Sequence, residues 1–288
     1  MTSNMVKRVG FALIAIPVAL SLVWYGGLPL ALLVAVAGWL GAGELVGFAK
    51  RQQVRPWSPA AHLVAALLPL AGWAVMVQPD TRDTLQAQWP FIAGAWVLVV
   101  LLATLARLGP EQRPLSAASI TVLAPLYAGG LPAFLLAIRH AGHGERSWEG
   151  TALVFFPLVT VWICDSVAMT VGKRVGGPRL APVVSPNKTW SGTVGGFIGA
   201  LAVAPLYQAL IFRPLHMELS PWHLLAVAGV IGVLGQLGDL AESLFKREAG
   251  LKDSSHLIPG HGGVLDRLDS LYFALPLTAG LYRLFGII

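Results

Sequence analysis

Charged residues are scarce in this chain of 288 residues. Only 12% are Asp, Glu, Lys or Arg, about half the share of a typical soluble domain, while 56% are hydrophobic. This balance excludes an ordinary soluble domain. The apolar residues form runs close to the roughly 20 residues that a membrane-spanning helix needs. The sequence lacks the short alternating segments that are typical of a membrane β-barrel.

Several motifs are also missing. The single cysteine, Cys164, excludes an internal disulfide. The chain contains no Gly-x-x-x-x-Gly-Lys-Ser/Thr loop and no Gly-x-Gly-x-x-Gly loop, so two common nucleotide-binding designs are excluded. No His or Cys spacing suggests zinc. No Ala-x-Ala cleavage site follows the first apolar run, so we expect that run to be a retained span.

The hydropathy pattern predicts an all-α fold, a polytopic transmembrane helical bundle in a single integral membrane domain over residues 1–288. Residues 1–150 hold the N-terminal spans, and residues 151–288 hold the spans and loops with the candidate catalytic residues. We expect about nine spans, at residues 9–25, 28–48, 61–77, 90–106, 115–138, 151–171, 192–212, 222–245 and 266–287.

The Lys and Arg residues orient these spans. With the N-terminus in the cytoplasm, 15 of the 20 Lys and Arg residues fall on the cytoplasmic side. Cytoplasmic loops are generally enriched in these residues, so the bias predicts a cytoplasmic N-terminus. It also explains the net charge of +6 without a nucleic-acid partner. The two most polar loops, 172–191 and 246–265, then lie on the side where nucleotides and Mg²⁺ are available.

Five carboxylates lie within or at the ends of the last four predicted spans: Asp165, Asp239, Glu242, Asp266 and Asp269. Such carboxylates are costly in a membrane and are normally paired or functional. Three interpretations compete: Mg²⁺ carrying a polyphosphate, a proton or Na⁺ path in a transporter, and salt bridges between helices. Salt bridging explains one such residue well but explains five poorly.

The two polar loops favour the polyphosphate interpretation. One loop contains Lys246, Arg247 and Lys252, followed by a glycine turn whose backbone can approach phosphate. The other contains Lys173 and Lys188 with polar neighbours. The candidate substrate-binding residues are Lys173, Ser185, Asn187, Lys188, Thr189, His261, Gly262, Gly263 and Arg267.

Glycines recur every three residues in the eighth predicted span, at positions 229, 232, 235 and 238. Small residues at such spacing let membrane helices pack closely. We expect this packing to bring Asp239 near its neighbours.

The run "SLFKREAGLKDSSHLIPGHGGVLDRLD", residues 243–269, resembles the signature of the phosphatidate cytidylyltransferase family. Its Lys-Arg pair, its Lys-Asp pair, its Pro-x-His-Gly-Gly turn and its Asp-Arg-x-Asp ending all have the family spacing. The upstream run "SPNKTWSG" is similar to the family's second motif. Many members have Glu or Gln where Ser191 stands, so Ser191 is given no role. The resemblance covers about the last 125 residues.

The resemblance implies that CTP and phosphatidate are converted to CDP-diacylglycerol and pyrophosphate, with Mg²⁺ as cofactor. Asp239 and Asp266 are the first choice as metal ligands, and Asp269 and Glu242 come next. The implied catalytic residues are Asp239, Asp266, Asp269, Lys246, Arg247 and Lys252.

Two other functions stay open at this point. One is another CTP-using lipid enzyme, such as a prenol kinase or a synthase for ether-lipid analogues. The other is an ion-coupled transporter. We expect a bacterial inner membrane protein whose active site faces the cytoplasm and whose lipid enters from the bilayer. A homodimer through the apolar spans is compatible with the sequence, which does not require one.

Overall fold

The structure is a computed structural model that describes residues 3–258 and 262–288, without the side chains of residues 3–12, 14, 79–82 and 84–86. Within these ranges it consists mainly of α-helices, with short 3-10 and π-helical turns and one small hairpin. The α-helices are α1 Ser3–Tyr25, α2 Gly27–Arg51, α3 Ser58–Val77, α4 Pro79–Arg107, α5 Pro114–Pro125, α6 Leu131–His140, α7 Trp148–Val175, α8 Trp190–Tyr207, α9 Pro221–Glu248, α10 Leu265–Leu268 and α11 Leu271–Leu284.

Seven helical segments in the described part of the chain are long and apolar enough to cross a membrane. They are Gly27–Arg51, Ser58–Val77, Ala87–Arg107, Pro114–His140, Trp148–Val175, Trp190–Leu215 and Pro221–Glu248. This confirms a helical, polytopic membrane protein, and each segment corresponds to one of the predicted spans.

The first and last predicted spans are not among the seven. Helix α1 has 23 residues, and the apolar stretch within its described side chains is Ala15–Tyr25. The predicted span at 266–287 is interrupted, because α10 ends at Leu268 and α11 begins at Leu271. With 14 residues, α11 is about 21 Å long at 1.5 Å per residue, which is shorter than a hydrocarbon core of about 30 Å.

Two of the crossing segments contain a wider turn beside a proline. A π-helical turn, Leu126–Gly130, follows Pro125 and joins α5 to α6. A second, Gln208–Phe212, continues α8 just after Pro205. Proline cannot donate a helical hydrogen bond, so the backbone rearranges locally without ending the segment.

Small residues let the helices of the second half pack closely. A Cβ on Gly196 of α8 would lie 2.8 Å from the carbonyl oxygen of Cys164 in α7, and one on Gly232 of α9 would lie 2.9 Å from the Cβ of Ala200. A Cβ on Gly238 would lie 2.8 Å from the carbonyl oxygen of Asp269. The expected close packing of the α9 glycines is therefore confirmed at Gly232 and Gly238.

A short antiparallel hairpin connects α7 to α8. Its strands are β1 Arg179–Ala181 and β2 Ser185–Thr189, with Arg179 opposite Thr189. Thr189 ends β2 and also caps α8, since its hydroxyl accepts the N–H of Gly192 at 3.1 Å. The hairpin is thereby held at the start of α8.

Candidate active site

One cavity of about 1090 Å³ lies where α7 ends, where α8 begins and where α9 approaches α10. Its described lining contains four carboxylates and four cations. These are Asp165, Asp239, Asp266, Asp269, Lys173, Arg179, Lys188 and Arg267. Polar side chains of both sequence motifs therefore meet in one space, with Asp165 of α7 beside them.

Asp239 is held by two neighbours. The Lys188 ammonium lies 2.6 Å from its Oδ2, and the Ser243 hydroxyl donates to its Oδ1 at 3.3 Å. The side chains of Lys188 and Asp239 are about a quarter exposed, at 25% and 26%. The pair thus joins the hairpin to α9 while both groups still reach the cavity.

Asp269 approaches the same wall from the break between α10 and α11. The close contact of its carbonyl with Gly238 fixes the distance between this break and α9. Its Oδ1 accepts the N–H of Ser270 at 2.7 Å. At the crossing point, α9 has a glycine, Gly238, and therefore no side chain. This lets Asp269 come close to α9, so that it reaches the same cavity as Asp239.

Asp266 is the most strongly held of the four. Its Oδ1 accepts from the Lys246 ammonium at 2.7 Å. Its Oδ2 accepts the N–H and the hydroxyl of Ser254 at 2.7 and 2.8 Å, and the N–H of Gly263 at 2.9 Å. Burial alone would raise the pKa of Asp266. The hydrogen bonds from Gly263, Lys246 and Ser254 together outweigh burial and hold the pKa below its usual value.

Lys246 and Glu242 lie behind this wall and not along its described lining. The side chain of Glu242 is 0% exposed, and its Oε1 lies 3.1 Å from the Lys246 ammonium. The contact is an ion pair between residues four apart on α9. Lys246 bridges two carboxylates, so its charge offsets theirs within the protein.

The other predicted residues of the two loops either line the cavity, lie outside its described lining, or are exposed at the surface. Asn187, Lys188 and Thr189 of β2 line the cavity, whereas Ser185 of the same strand is outside the described lining. Arg247 is exposed and ties two loops together, since it donates to the carbonyls of Val184 at 3.1 Å and Leu251 at 2.9 Å. Lys252 is exposed beside this junction.

The glycine turn does not present all its N–H groups to a ligand. The N–H of Gly263 is donated to Asp266, which corrects the expectation that it faces phosphate. Gly262 has φ +83°, and a Cβ there would lie 2.5 Å from Oδ2 of Asp266. The turn therefore packs directly against the Asp266 carboxylate. His261 lies outside the described residues.

The chemistry of this wall suits Mg²⁺. In the described part of the chain, no three His, Cys, Asp or Glu side chains converge as a preformed metal-binding group. Mg²⁺ is usually held by one or two carboxylates together with water and substrate phosphates, so a complete protein cage is not required. Asp239 and Asp269 fit this pattern better than Asp266, whose two oxygens already accept four hydrogen bonds.

Sequence reasoning counted Asp165 among five candidate carboxylates without assigning it a role, and it did not consider Glu44. Asp165 lines the cavity, and Glu44 of α2 binds the loop that precedes Asp266. Both are carboxylates within apolar helices, and this was the available signal. No local sequence pattern relates Glu44 to Ser254 or Leu265, which lie more than 200 positions away along the chain.

The Cytidylyltransferase family matches this chain over residues 6–285. The chain belongs to the cytidylyltransferase family. Its relatives include the phosphatidate cytidylyltransferase of Brucella abortus, which is 33% identical over 99% of this chain and 94% of that protein. The enzyme of the same name from Staphylococcus aureus is 34% identical over 92% of this chain and 94% of that protein. A third, from Haemophilus influenzae, is 42% identical over 57% of this chain and 55% of that protein.

Membership of the cytidylyltransferase family extends to the N-terminal helices. The sequence resemblance was strong only over the last 125 residues or so, but the family match begins at residue 6. The family match therefore includes most of α1 and all of α2 to α6.

Proposed function

We propose that this chain is a phosphatidate cytidylyltransferase, which forms CDP-diacylglycerol and pyrophosphate from CTP and phosphatidate. The observation that carries this proposal is the single cavity whose wall combines four carboxylates with four cations at one end of an apolar helical bundle. Full-length relatives with this enzyme name support it. Such a cavity can admit a lipid phosphate from the bilayer and a nucleoside triphosphate from water.

In the reaction, a phosphate oxygen of phosphatidate attacks the α-phosphorus of CTP. The bond from that phosphorus to the bridging oxygen breaks, and pyrophosphate leaves with the electron pair. The acceptor is already an anion, so the protein chiefly has to position two anions and neutralise their charge. We assign Lys173, Arg179, Lys188 and Arg267 to this task because their side chains line the cavity.

Asp239 and Asp269, with Asp165 beside them, are the residues proposed to hold Mg²⁺. When bound, the metal would neutralise charge on the triphosphate. Lys188 contacts Asp239 in the structure, and we propose that Lys188 turns to phosphate when the substrates bind. Lys246 has a different proposed role: it pairs with the buried Glu242 and Asp266 and offsets part of their negative charge.

We further propose that the cavity faces the cytoplasm and that the N-terminus lies on the same side. The excess of Lys and Arg in the loops at this end supports this orientation. Bacterial relatives indicate an inner membrane location.

The test is to incubate purified protein in detergent with labelled CTP, phosphatidate and Mg²⁺. We expect CDP-diacylglycerol and pyrophosphate in equal amounts.

Asp239→Asn is expected to lower kcat about 100-fold or more, since it removes charge at the reacting phosphates. Glu218→Gln, on an exposed loop before the start of α9, is the matched control and should keep normal activity. Failure of the wild-type protein to form product from phosphatidate would refute the proposal, and a panel with prenols and ether-linked analogues would show whether another lipid replaces it.

A further inference from the structure

Glu44 is a buried carboxylate in α2, far from the catalytic half of the sequence. Its side chain accepts four hydrogen bonds, two on each oxygen. Oε1 accepts from the Ser255 hydroxyl at 2.7 Å and the Val264 N–H at 3.0 Å. Oε2 accepts from the Ser254 hydroxyl and the Leu265 N–H, both at 2.9 Å. These donors lie 210 to 221 residues away along the chain.

The four donors lie at the two ends of one segment, residues 254–265, which leads directly into Asp266. Glu44 therefore holds both ends of this segment together. The Ser254 hydroxyl lies 2.9 Å from Oε2 of Glu44 and 2.8 Å from Oδ2 of Asp266. It has one proton to donate, so the two carboxylates share this donor and one serine connects them. A movement of the segment would move Asp266 and Arg267 with it.

The packing around Gly263 shows how closely the segment fits Glu44. A Cβ on Gly263 would overlap both the Ser254 hydroxyl and the Glu44 carboxylate. Hydrogen bonds to a charged acceptor are stronger than neutral ones. Without Glu44, the buried N–H groups of Val264 and Leu265 would lose their acceptor, and such losses are costly.

We propose that Glu44 is a positioning residue of the active site. It is outside the described lining of the cavity and acts through Ser254, Val264 and Leu265. Its carboxylate holds Ser254 and Ser255 beside Val264 and Leu265, the arrangement in which Asp266 and Arg267 reach the cavity. Helix α2, in the N-terminal half of the chain, would then help to position the active-site residues. The inference rests on the proposed cytidylyltransferase activity for its kinetic readout only.

The test is Glu44→Gln. An amide keeps the size of the side chain but turns an NH₂ group toward two of the donors. We expect kcat to fall about 10- to 100-fold through misplacement of Asp266, with the KM values for CTP and phosphatidate changing less than about twofold because the amide does not touch the cavity lining. Hydrogen–deuterium exchange at the amides of Val264 and Leu265 should rise on the order of tenfold, while exchange in α8 stays unchanged.

The matched control is Glu248→Gln, which changes an exposed carboxylate at the end of α9 and should leave both readouts unchanged. Ser254→Ala is a second variant that breaks the link to Asp266 while leaving Glu44 three donors, and it should also lower kcat and speed local exchange. Wild-type kcat in Glu44→Gln, or faster exchange throughout the protein with a lower melting temperature, would overturn the positioning role. If the wild-type protein makes no CDP-diacylglycerol, the proposed function fails, and exchange at Val264 and Leu265 still decides whether Glu44 holds the segment.

Discussion

At the residue scale, the pair of Lys188 and Asp239 shows how the cavity can be prepared for an anionic substrate. Their charged groups are 2.6 Å apart and partly exposed. Solvent-exposed ion pairs are worth about 0–1 kcal/mol. This pair is only a quarter exposed, but both groups contact the cavity and can exchange partners when phosphate and a cation arrive. The pair thus keeps Lys188 and Asp239 in place before binding without strongly opposing it.

Lys188→Gln tests this role. The variant removes a cation from the lining but retains a polar side chain, so we expect kcat/KM for CTP to fall about 10- to 100-fold, as for the loss of a charged contact to phosphate. Steady-state kinetics at saturating phosphatidate measures the change. Arg174→Gln is the control, because Arg174 is exposed at the end of α7 and outside the described lining. If kcat/KM for CTP were the same in the two variants, Lys188 would not be a substrate-binding residue.

At the element scale, the crossing of α9 with the break between α10 and α11 sets the acidic wall. Gly238 lets the carbonyl of Asp269 approach α9, and Phe273 packs over the same point. Asp269 and Ser270 join α10 to α11 with helical backbone dihedrals. Asp266 and Asp269, three residues apart, therefore both reach this wall.

Gly238→Ala tests this crossing. The new Cβ would lie 2.8 Å from the Asp269 carbonyl oxygen and 2.9 Å from Phe273, so the two elements have to separate. We expect a loss of about 1–3 kcal/mol in stability from overpacking and about a 10-fold or greater fall in kcat, measured by thermal unfolding in detergent and by product formation.

Gly229→Ala on the same helix is the matched control. Its Cβ would lie 3.5 Å from the nearest side-chain atom of Leu201, an ordinary contact. Since alanine favours helix over glycine, this variant should be as stable as the wild type or slightly more stable. If both substitutions had the same effect, close packing at Gly238 would not explain the position of Asp269.

At the scale of the whole molecule, contacts between distant loops gather the basic segments at one end of the bundle. Arg113 donates to the carbonyl of Gln52 at 2.8 Å, and Arg247 donates to that of Val184. Glu44 brings the end of α2 to the segment before Asp266. These contacts place the loops with most of the Lys and Arg on one side, as the positive-inside pattern requires.

Cysteine labelling tests the orientation of this end. Val183 in the hairpin turn is 88% exposed, and Glu218 lies in the exposed loop before α9. With a membrane-impermeant maleimide on intact spheroplasts, Glu218→Cys should be labelled, and Val183→Cys should be labelled only after permeabilisation. The native Cys164 is buried and serves as a low background. The reverse labelling pattern would contradict the proposed cytoplasmic site.

Some of this protein could be predicted from sequence because the signals are local. Span length and hydropathy predict membrane helices from each segment alone, so seven of the predicted spans correspond to crossing segments of the structure. Carboxylates in the apolar spans indicated Asp239, Asp266 and Asp269, and all three line the cavity. The glycine spacing predicted the tight contacts of α9, since a missing side chain permits close approach wherever the partner lies.

By itself, then, the sequence determined the membrane helices, the polar loops and the residue types of the site, because each depends on neighbouring residues. Only the tertiary structure decided which of these residues face the cavity. It buried Lys246 between two carboxylates, directed the Gly263 N–H to Asp266, interrupted the last predicted span and brought Glu44 to the loop before Asp266. Those outcomes depend on hydrogen bonds and close contacts between separate elements, and the geometry of such contacts exists only when the helices are packed.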